Sequence, residues 1–511
     1  MAKAKLRAPV TSVRIEERAP AEESPAAALA RSDSAPWWIA FCFLAVLAVT
    51  LVWQPVTRIN AHYQINYNEG WNAYPQQLVA DGGKVFGNPP GREFWNYPPV
   101  SFHVVGWLSK LTHDVNLTGR WISLLSFIAL TVLTGMSASR LSGARRSGWF
   151  AALWVVIFIG ALKSERIGMN DPHLLGMAFI ALGFYGYIRS LDGDTRWLRI
   201  SAVAFVFGLF TKHTLLAFPI AAAAHLLLTS PKRLKTWIIT GAIAGVTLLI
   251  ATFALDGSHF FEHLAFPRVY SYASLLSNTV WYLLIFQTAI IASLVWCFRA
   301  KLRAPEGTLI LAFALSTALA FFFSAGAGSD LNHLFDPAVS VALIGAAALP
   351  YAVWASEAVR FRKTLLGVLL IAPFSLGVLT MLAPRVQEDL ATSRSIAGVE
   401  QEYASAVEFL KSHPGPALCE HMLVCFDAGK PDEYDPYQVD QLIKTGKLPE
   451  RDILKMLDDR YFASILLLAD ASHPIAPVDR TIFSQAFMAH LLNDYKVAMT
   501  TGAYAILIPN R

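Results

Sequence analysis

Glu69, in the segment Asn-Tyr-Asn-Glu-Gly-Trp-Asn-Ala-Tyr (66–74), puts a carboxylate shortly beyond the first long apolar run of the chain. An acid at the edge of lipid packs poorly and accepts protons well, so it is a candidate general base. Further polar groups gather between later apolar runs: Lys163, Glu165, Arg166, Asn170 and Asp171; Lys212 and His213; Asp256, His259, Glu262, His263 and Arg268; Asp330, Asn332, His333 and Asp336. Polar residues collect in loops anyway, which accounts for many of them singly. Together, acids beside bases and histidines in several separate connections argue for one shared, water-filled cavity, because charge at membrane depth is expensive. Such a cavity suits transfer from a phosphorylated lipid. A carboxylate takes the proton of an incoming hydroxyl, and cations stabilise the departing phosphate. Glu69 fits the first role, and Lys212, Arg268 and His333 fit the second. Lys212 is the sharpest of these, because residues 209–217 around it are otherwise apolar and a lone ammonium there needs an anion. Asp171 either serves the substrate or starts a helix with Pro172, and the two roles are compatible.

The elements that position these groups are membrane spans. The 511 residues are 55% hydrophobic and 15% charged, whereas a soluble chain carries about a quarter charged residues. Apolar runs long enough for a ~30 Å hydrocarbon core recur near 36–53, 119–139, 148–162, 172–188, 198–210, 214–229, 236–255, 277–297, 307–325, 334–354 and 364–383. The reading is an α-helical polytopic membrane protein with about eleven spans. Residues 98–111 are apolar but short, and read as a surface or re-entrant segment. Basic residues fall in alternate connections: Arg140, Arg145 and Arg146; Arg189, Arg196 and Arg199; Lys232, Arg233 and Lys235; Arg299, Lys301 and Arg303; Arg360, Arg362 and Lys363. With eleven spans all lie on the side of the basic N-terminal tail, which the positive-inside rule makes cytoplasmic. Orientation therefore explains the net charge of +5, and nucleic acid is not an expected partner.

Residues 1–35 read as a disordered cytoplasmic tail, 36–383 as the membrane domain with a long first outer loop over 54–118, and 384–511 as a small outer α/β domain. In the last, helices are expected over 401–412, 436–462 (a pair) and 481–495, with strands over 416–420, 464–470 and 497–509. No glycine-rich nucleotide motif occurs in it. Cys419 and Cys425 are either free thiols or a disulfide, as the compartment decides. His421 between them lacks a fourth ligand at zinc spacing. The aromatic run Phe94-Trp95-Asn96-Tyr97-Pro98-Pro99 reads as an interfacial belt or as a stacking surface for a sugar ring, the belt being favoured.

Four motifs in order carry a resemblance: Asn68-Glu69-Gly70-Trp71-Asn72-Ala73-Tyr74, Met169-Asn170-Asp171-Pro172-His173-Leu174, Gly208-Leu209-Phe210-Thr211-Lys212-His213 and Gly326-Ala327-Gly328-Ser329-Asp330-Leu331-Asn332-His333. Over residues 36–383 the chain resembles bacterial GT-C glycosyltransferases. These are the dolichyl-phosphate-mannose-protein mannosyltransferase-like group, which includes the lipid A aminoarabinose and core galacturonic acid transferases. The resemblance implies a polyprenyl-phosphate sugar donor, inversion at the anomeric carbon, a lipid, glycan or protein acceptor, and a bacterial inner membrane. Residue by residue it implies Glu69 as base, Asp171 as the second acid and Lys212 as a donor-phosphate contact. His213, Arg268 and His333 join Lys212 as expected phosphate ligands, and Tyr74, Tyr97, Arg166 and Asn332 are expected substrate contacts. Many members carry two adjacent acids in the first loop, whereas here Asn68 precedes Glu69. One charge fewer makes metal dependence less expected, so no metal site and no cofactor are assigned. The competing reading is a transporter or flippase of lipid-linked saccharides, which would place ionisable groups at the bilayer midplane and show inverted repeats. Neither is evident in the sequence.

Overall fold

Without water in the hydrocarbon core a backbone must satisfy its own polar groups, so apolar runs fold as helices. The structure, a computed structural model, describes residues 34–92, 94–265, 267–298, 300–356, 362–469 and 482–510. Most of the expected tail, together with Arg299, Arg360 and Thr481, lies outside the described residues. In chain order the helices of the membrane domain are α1 (Ser34–Thr57), α2 (Tyr67–Ala80), α3 (Val100–Thr112), α4 (Val115–Ser142), α5 (Arg145–Lys163), α6 (Pro172–Ser190), α7 (Thr195–Thr211), α8 (Ala217–Thr229), α9 (Pro231–Leu255), α10 (Phe260–Leu264), α11 (Tyr272–Cys297), α12 (Gly307–Ser324) and α13 (Phe335–Ser356). Helix α14 (Arg362–Ser412) then runs without a break into the C-terminal domain, so the helix expected over 401–412 is its last part. That domain continues with β1 (Ala417–Cys419), α15 (Met422–Asp427), α16 (Pro436–Lys444), α17 (Glu450–Asp458), β2 (Ser464–Leu468), α18 (Gln485–Asp494), β3 (Tyr495–Thr500) and β4 (Tyr504–Pro509).

Among the described residues seven helices are long and apolar enough to cross a membrane, against the eleven runs expected. Helices α6, α7 and α8 occupy three of the other four expected positions without reaching that length and apolarity, and the fourth, 364–383, falls in the first part of α14. Helices α7 and α8 are 17 and 13 residues long, whereas for α6 the reason is packing. Helix α6 buries most of its residues against neighbouring helices, so few of its side chains have to suit lipid. Helices α5 and α13 are likewise mostly enclosed, whereas α9 buries almost none of its residues, as suits a helix facing lipid.

The C-terminal sheet has the order β1-β2-β4-β3, with β1 and β2 parallel and the other pairs antiparallel. Leu418, Ile465, Leu467 and Leu507 pack on one side with α17 and α18, and Leu466 and Ile506 pack on the other with the end of α14. Cys419 and Cys425 are joined as a disulfide, which ties β1 to α15 and settles the alternative left open by the sequence.

Residues 54–118 are not simply loop, because they contain α2 and α3. The disulfide-tied α15 docks on α2 at Gly70, where an added Cβ would stand 2.2 Å from the Leu423 nitrogen and 2.6 Å from the Met422 carbonyl carbon. Both are backbone atoms and cannot swing aside. Gly70→Ala is therefore expected to cost about 1–3 kcal/mol of stability, read as a lowered thermal midpoint in detergent.

Candidate active site

Helix α2 is the element on which the site turns. Asn66 caps it, accepting from the Asn68 amide at 3.2 Å, and Glu69 sits in its first turn. Successive residues on a helix are 100° apart, so neighbours point in different directions. Glu69, Asn72 and Gln76, spaced three and four apart, form one buried face. Tyr67, Asn68 and Trp71 form another, which lines a cavity of about 420 Å³.

On the buried face, Glu69 and Gln76 have every polar side-chain atom hydrogen-bonded. Glu69 is 0% exposed. Its Oε1 accepts from Arg120 Nε at 2.7 Å and from the Asn170 amide at 3.1 Å. Its Oε2 accepts from Arg120 Nη2 at 2.9 Å and from the Ile65 amide at 2.7 Å. Arg120, from α4, spends its remaining N–H groups on the carbonyls of Ile59, Ala61 and Tyr63. Gln76 exchanges two hydrogen bonds with the Asn170 amide group, at 2.9 and 2.6 Å. Glu69 thus anchors the segment that leads to Asp171, and it is not among the residues lining the cavity.

Asp171 caps α6, with Oδ1 accepting from the His173 amide at 2.8 Å and Pro172 in the first turn. The helix-start reading is correct. Its Oδ2 accepts from Arg166 Nη1 at 2.6 Å and from Asn68 Nδ2 at 3.1 Å, and both of these partners line the cavity. Burial alone would raise the Asp171 pKa, but Arg166 and Lys212 overcome it and hold the carboxyl below its ordinary range. Arg166 also donates from Nη2 to Asp330 Oδ2 at 3.0 Å, and Lys163 lies 3.1 Å from Asp330 Oδ1. The same balance holds for Asp330: burial opposes ionisation, and Arg166 and Lys163 more than restore it.

The cations across the cavity are different. Lys212 ends α7 and is 3% exposed. Among the described residues no carboxylate comes within ion-pair distance of it. Its ammonium lies 3.1 Å from His173 Nδ1 and 5.0 Å from the centre of the Tyr97 ring. His173 Nδ1 also faces Asn332 Nδ2 at 2.9 Å. An ammonium and an amide NH2 can only donate, so Nδ1 carries no proton and the imidazole is neutral. Arg268 lines the same cavity and has no acid partner among the described residues either. His213 lines it between them, with its Nδ1 buried and unpaired. Burial lowers the His213 pKa to about 4, and Lys212 and Arg268 add to the shift. The folded protein therefore prefers neutral His213, and the stability this contributes is present above the ordinary value of 6.5 and is lost as pH falls from there towards 4. Between those limits the thermal midpoint of the wild type should fall more steeply than that of His213→Asn, as measured by melting scans over pH.

Lys212, His213, Arg268, His333, Tyr97, Arg166 and Asn332 are therefore gathered on one cavity. Tyr74 is not: its hydroxyl donates to the Lys430 carbonyl at 3.1 Å and its ring meets Phe426 edge-on, so it belongs to the docking of the C-terminal domain. Nor is the aromatic run a belt. Phe94, Asn96 and Tyr97 line the cavity, and Trp95 stacks on His263. The residues that sequence reasoning passed over are those of the roof. Tyr437 and Gln438, from α16, line the cavity. Gln438 clasps Phe94 through Nε2 to its carbonyl (2.6 Å) and Oε1 from its amide (2.9 Å), and Tyr437 donates to the Ala327 carbonyl at 2.6 Å. At Gly328 φ is +68°, and a Cβ would meet the Tyr437 hydroxyl at 2.3 Å, so glycine is required there twice over. Nothing in the 436–444 sequence by itself points to this role.

No protein-family model matches the sequence, and neither does any curated protein. Solved structures do match in shape. The chain superposes on ArnT from Cupriavidus metallidurans bound to undecaprenyl phosphate with a TM-score of 0.56, over 93% of this chain and 98% of that one, at 13% identity. It also superposes on the oligosaccharyltransferase of Archaeoglobus fulgidus in the apo form, with a TM-score of 0.51 over 84% of this chain and 69% of that one, at 13% identity. The archaeal oligosaccharyltransferase AglB from Archaeoglobus fulgidus, in complex with an inhibitory peptide and a dolichol-phosphate, matches with a TM-score of 0.51 at 11% identity, over 85% of this chain and 70% of that one. At such identities the likeness is one of fold: this is an integral membrane protein with the GT-C fold that ArnT and AglB share.

Proposed function

We propose that this protein is a glycosyltransferase that moves a sugar from a polyprenyl-phosphate donor to an acceptor hydroxyl with inversion. The observation that carries the reading is the pair Lys212 and Arg268. Two cations without acid partners among the described residues face one cavity, one of them nearly fully buried, and such an arrangement asks for a bound anion. The structures of ArnT with undecaprenyl phosphate and of AglB with dolichol-phosphate support a lipid phosphate as that anion. Tyr270 and Phe323 line the cavity on the side of α11 and α12, and Tyr270 and Phe322 are widely exposed there, which suits entry of a polyprenyl chain from the bilayer.

In the reaction the acceptor oxygen attacks the anomeric carbon from the face opposite the phosphate. The carbon–oxygen bond to phosphate breaks, and its electron pair leaves on the phosphate between Lys212 and Arg268, with His213 and His333 beside them. Arg166, Asn332 and Tyr97 take substrate contacts. Asp171 holds Asn68 and Arg166 in place, and Glu69 holds the floor. We further propose that the cavity opens on the outer face of a bacterial inner membrane, with the basic connections in the cytoplasm and the C-terminal domain outside. The acceptor is a lipid, a glycan or a protein. No divalent metal is needed, since Asn68 stands where a second acid would, and Glu69, Asp171 and Asp330 are each committed to a basic side chain. EDTA is expected to leave the transfer rate unchanged, and restoration of a lost rate by a divalent ion would overturn this point.

The test is transfer by the wild type in proteoliposomes from a panel of polyprenyl-phosphate sugars. Transfer from at least one donor supports the reading. Absence of transfer, with movement of a lipid-linked saccharide across the bilayer instead, would establish the transporter.

A further inference from the structure

Asp171 and Asp330, beside the cations of the cavity, are held ionised by Arg166, Lys163 and Lys212 and are poor proton acceptors. Glu69 is closed by Arg120, Asp171 and Asp330 share Arg166, and Asp330 and Glu165 both face Lys163. A carboxylate stabilised by a neighbouring cation holds a proton weakly, while general-base catalysis favours a pKa near the working pH. None of these paired acids is suited to take a hydroxyl proton, and Asp336 lines a separate cavity among α4, α6 and α13.

The opposite wall supplies a base. Tyr67, next to Asn68 on α2, lines the cavity, and its hydroxyl donates to Asp435 Oδ1. Asp435 caps α16, with Oδ1 also accepting from the Gln438 amide at 3.0 Å. It is 1% exposed, and its Oδ2 is buried with no hydrogen-bond partner. No basic side chain pairs with it among the described residues.

We propose that Tyr67 and Asp435 form the proton relay of the proposed transfer, so that the C-terminal domain supplies the general base. As the acceptor oxygen bonds to the anomeric carbon, its proton passes to the Tyr67 oxygen. The Tyr67 hydroxyl proton passes in the same step to Asp435, which ends as the neutral acid. The electron pair of the broken bond leaves on the donor phosphate. Tyr67 is the group that touches substrate, and Asp435 acts through it.

Burial raises the Asp435 pKa to about 7, against the partly offsetting hydrogen bonds from Tyr67 and the α16 amides, which is the opposite sense from Asp171 and Asp330. Around the pair, Asp432 and Tyr437 act on Tyr67, and Arg92, Asp440 and Glu450 act on Tyr434 beside Asp435. Burial and Asp435 together push the Tyr67 pKa well up, so the phenol keeps its proton at neutral pH and relays instead of ionising.

This inference rests on the glycosyltransferase reading, and the test separates the two. Full-length wild type, Tyr67→Phe, Asp435→Asn and Asp435→Glu are compared in proteoliposomes for single-turnover rate between about pH 5 and 9, with undecaprenyl phosphate binding and thermal midpoint in parallel. The wild-type rate is expected to rise with pH around a midpoint near 7. Tyr67→Phe and Asp435→Asn are expected to lose about 10²–10⁴-fold in rate and the pH rise with it, while binding undecaprenyl phosphate as the wild type does. Asp435→Glu should recover part of the rate with a displaced midpoint, which a purely structural role would not produce. If Asp435→Asn fails to fold, Tyr67→Phe decides, since it leaves Asp435 in place. Wild-type rate and midpoint in both variants would overturn the relay while leaving the glycosyltransferase intact. Absence of transfer by the wild type would overturn the underlying reading.

Discussion

Replacing Lys212 by methionine is expected to lower kcat/KM for the lipid-phosphate donor by about 10²–10³-fold, the usual cost of removing one preorganised stabiliser of developing charge. The side chains are similar in length, so the change deletes the ammonium and little else. Lys212 is 3% exposed, and its close partners are a neutral imidazole and an aromatic ring. Keeping an ammonium there costs desolvation that no carboxylate among the described residues returns by direct contact. Lys212→Met should therefore melt at the same temperature as the wild type or higher while losing activity. That combination marks a residue kept for function, and a variant that loses activity and stability together would refute it. Arg268→Gln should lose activity to a similar degree. The double variant should lose less than the product of the two, because both cations serve one phosphate.

Glu69→Gln should be costly for a different reason. Its carboxylate and the Arg120 guanidinium are both buried, 0% and 2% exposed, and make two direct hydrogen bonds. Removing one member leaves an uncompensated buried charge, at about 3–5 kcal/mol. The measured outcome should be a much lower thermal midpoint, with activity falling as the fold loosens. Arg120→Met should behave alike, and the double variant should regain part of the loss, since replacing both partners of a buried pair removes the stranded charge. The base role implied by family resemblance makes the opposite forecast: a stable Glu69→Gln protein that binds donor and does not turn over. Melting and activity measured on the same four proteins decide between them.

The two experiments mark where sequence reading stopped. The shared cavity was legible in part: Arg166, Lys212, His213, Arg268, Asp330, Asn332 and His333 line it, because desolvation leaves a cation like Lys212 few alternatives, whereas Asp256, His259, Glu262, His263 and Asp336 do not. Asp171 was legible as a helix cap from the Asp-Pro pair alone. The orientation of Glu69 was not, because residues 66–80 contain Gly70 and Pro75 and read as loop. The signal present was Asn66 with an acid three positions on, the pattern of a capped helix start. Once that segment is a helix, a step of one residue turns Asn68 to the cavity and Glu69 away from it. The two adjacent positions that look like one motif in sequence thus do separate work.

Tyr67 and Asp435 stand 368 positions apart, and no local pattern joins them. The chain by itself determined that it would enter lipid, which runs would be helical, and that unmatched charge would collect at their ends. These are consequences of transfer free energy and backbone hydrogen bonding, which depend on composition over one span. Which acids are neutralised and which are left free was decided only by tertiary packing. Whether a carboxylate meets Arg120, Arg166 or a tyrosine hydroxyl depends on how α2, α4, α6 and the C-terminal domain close on one another.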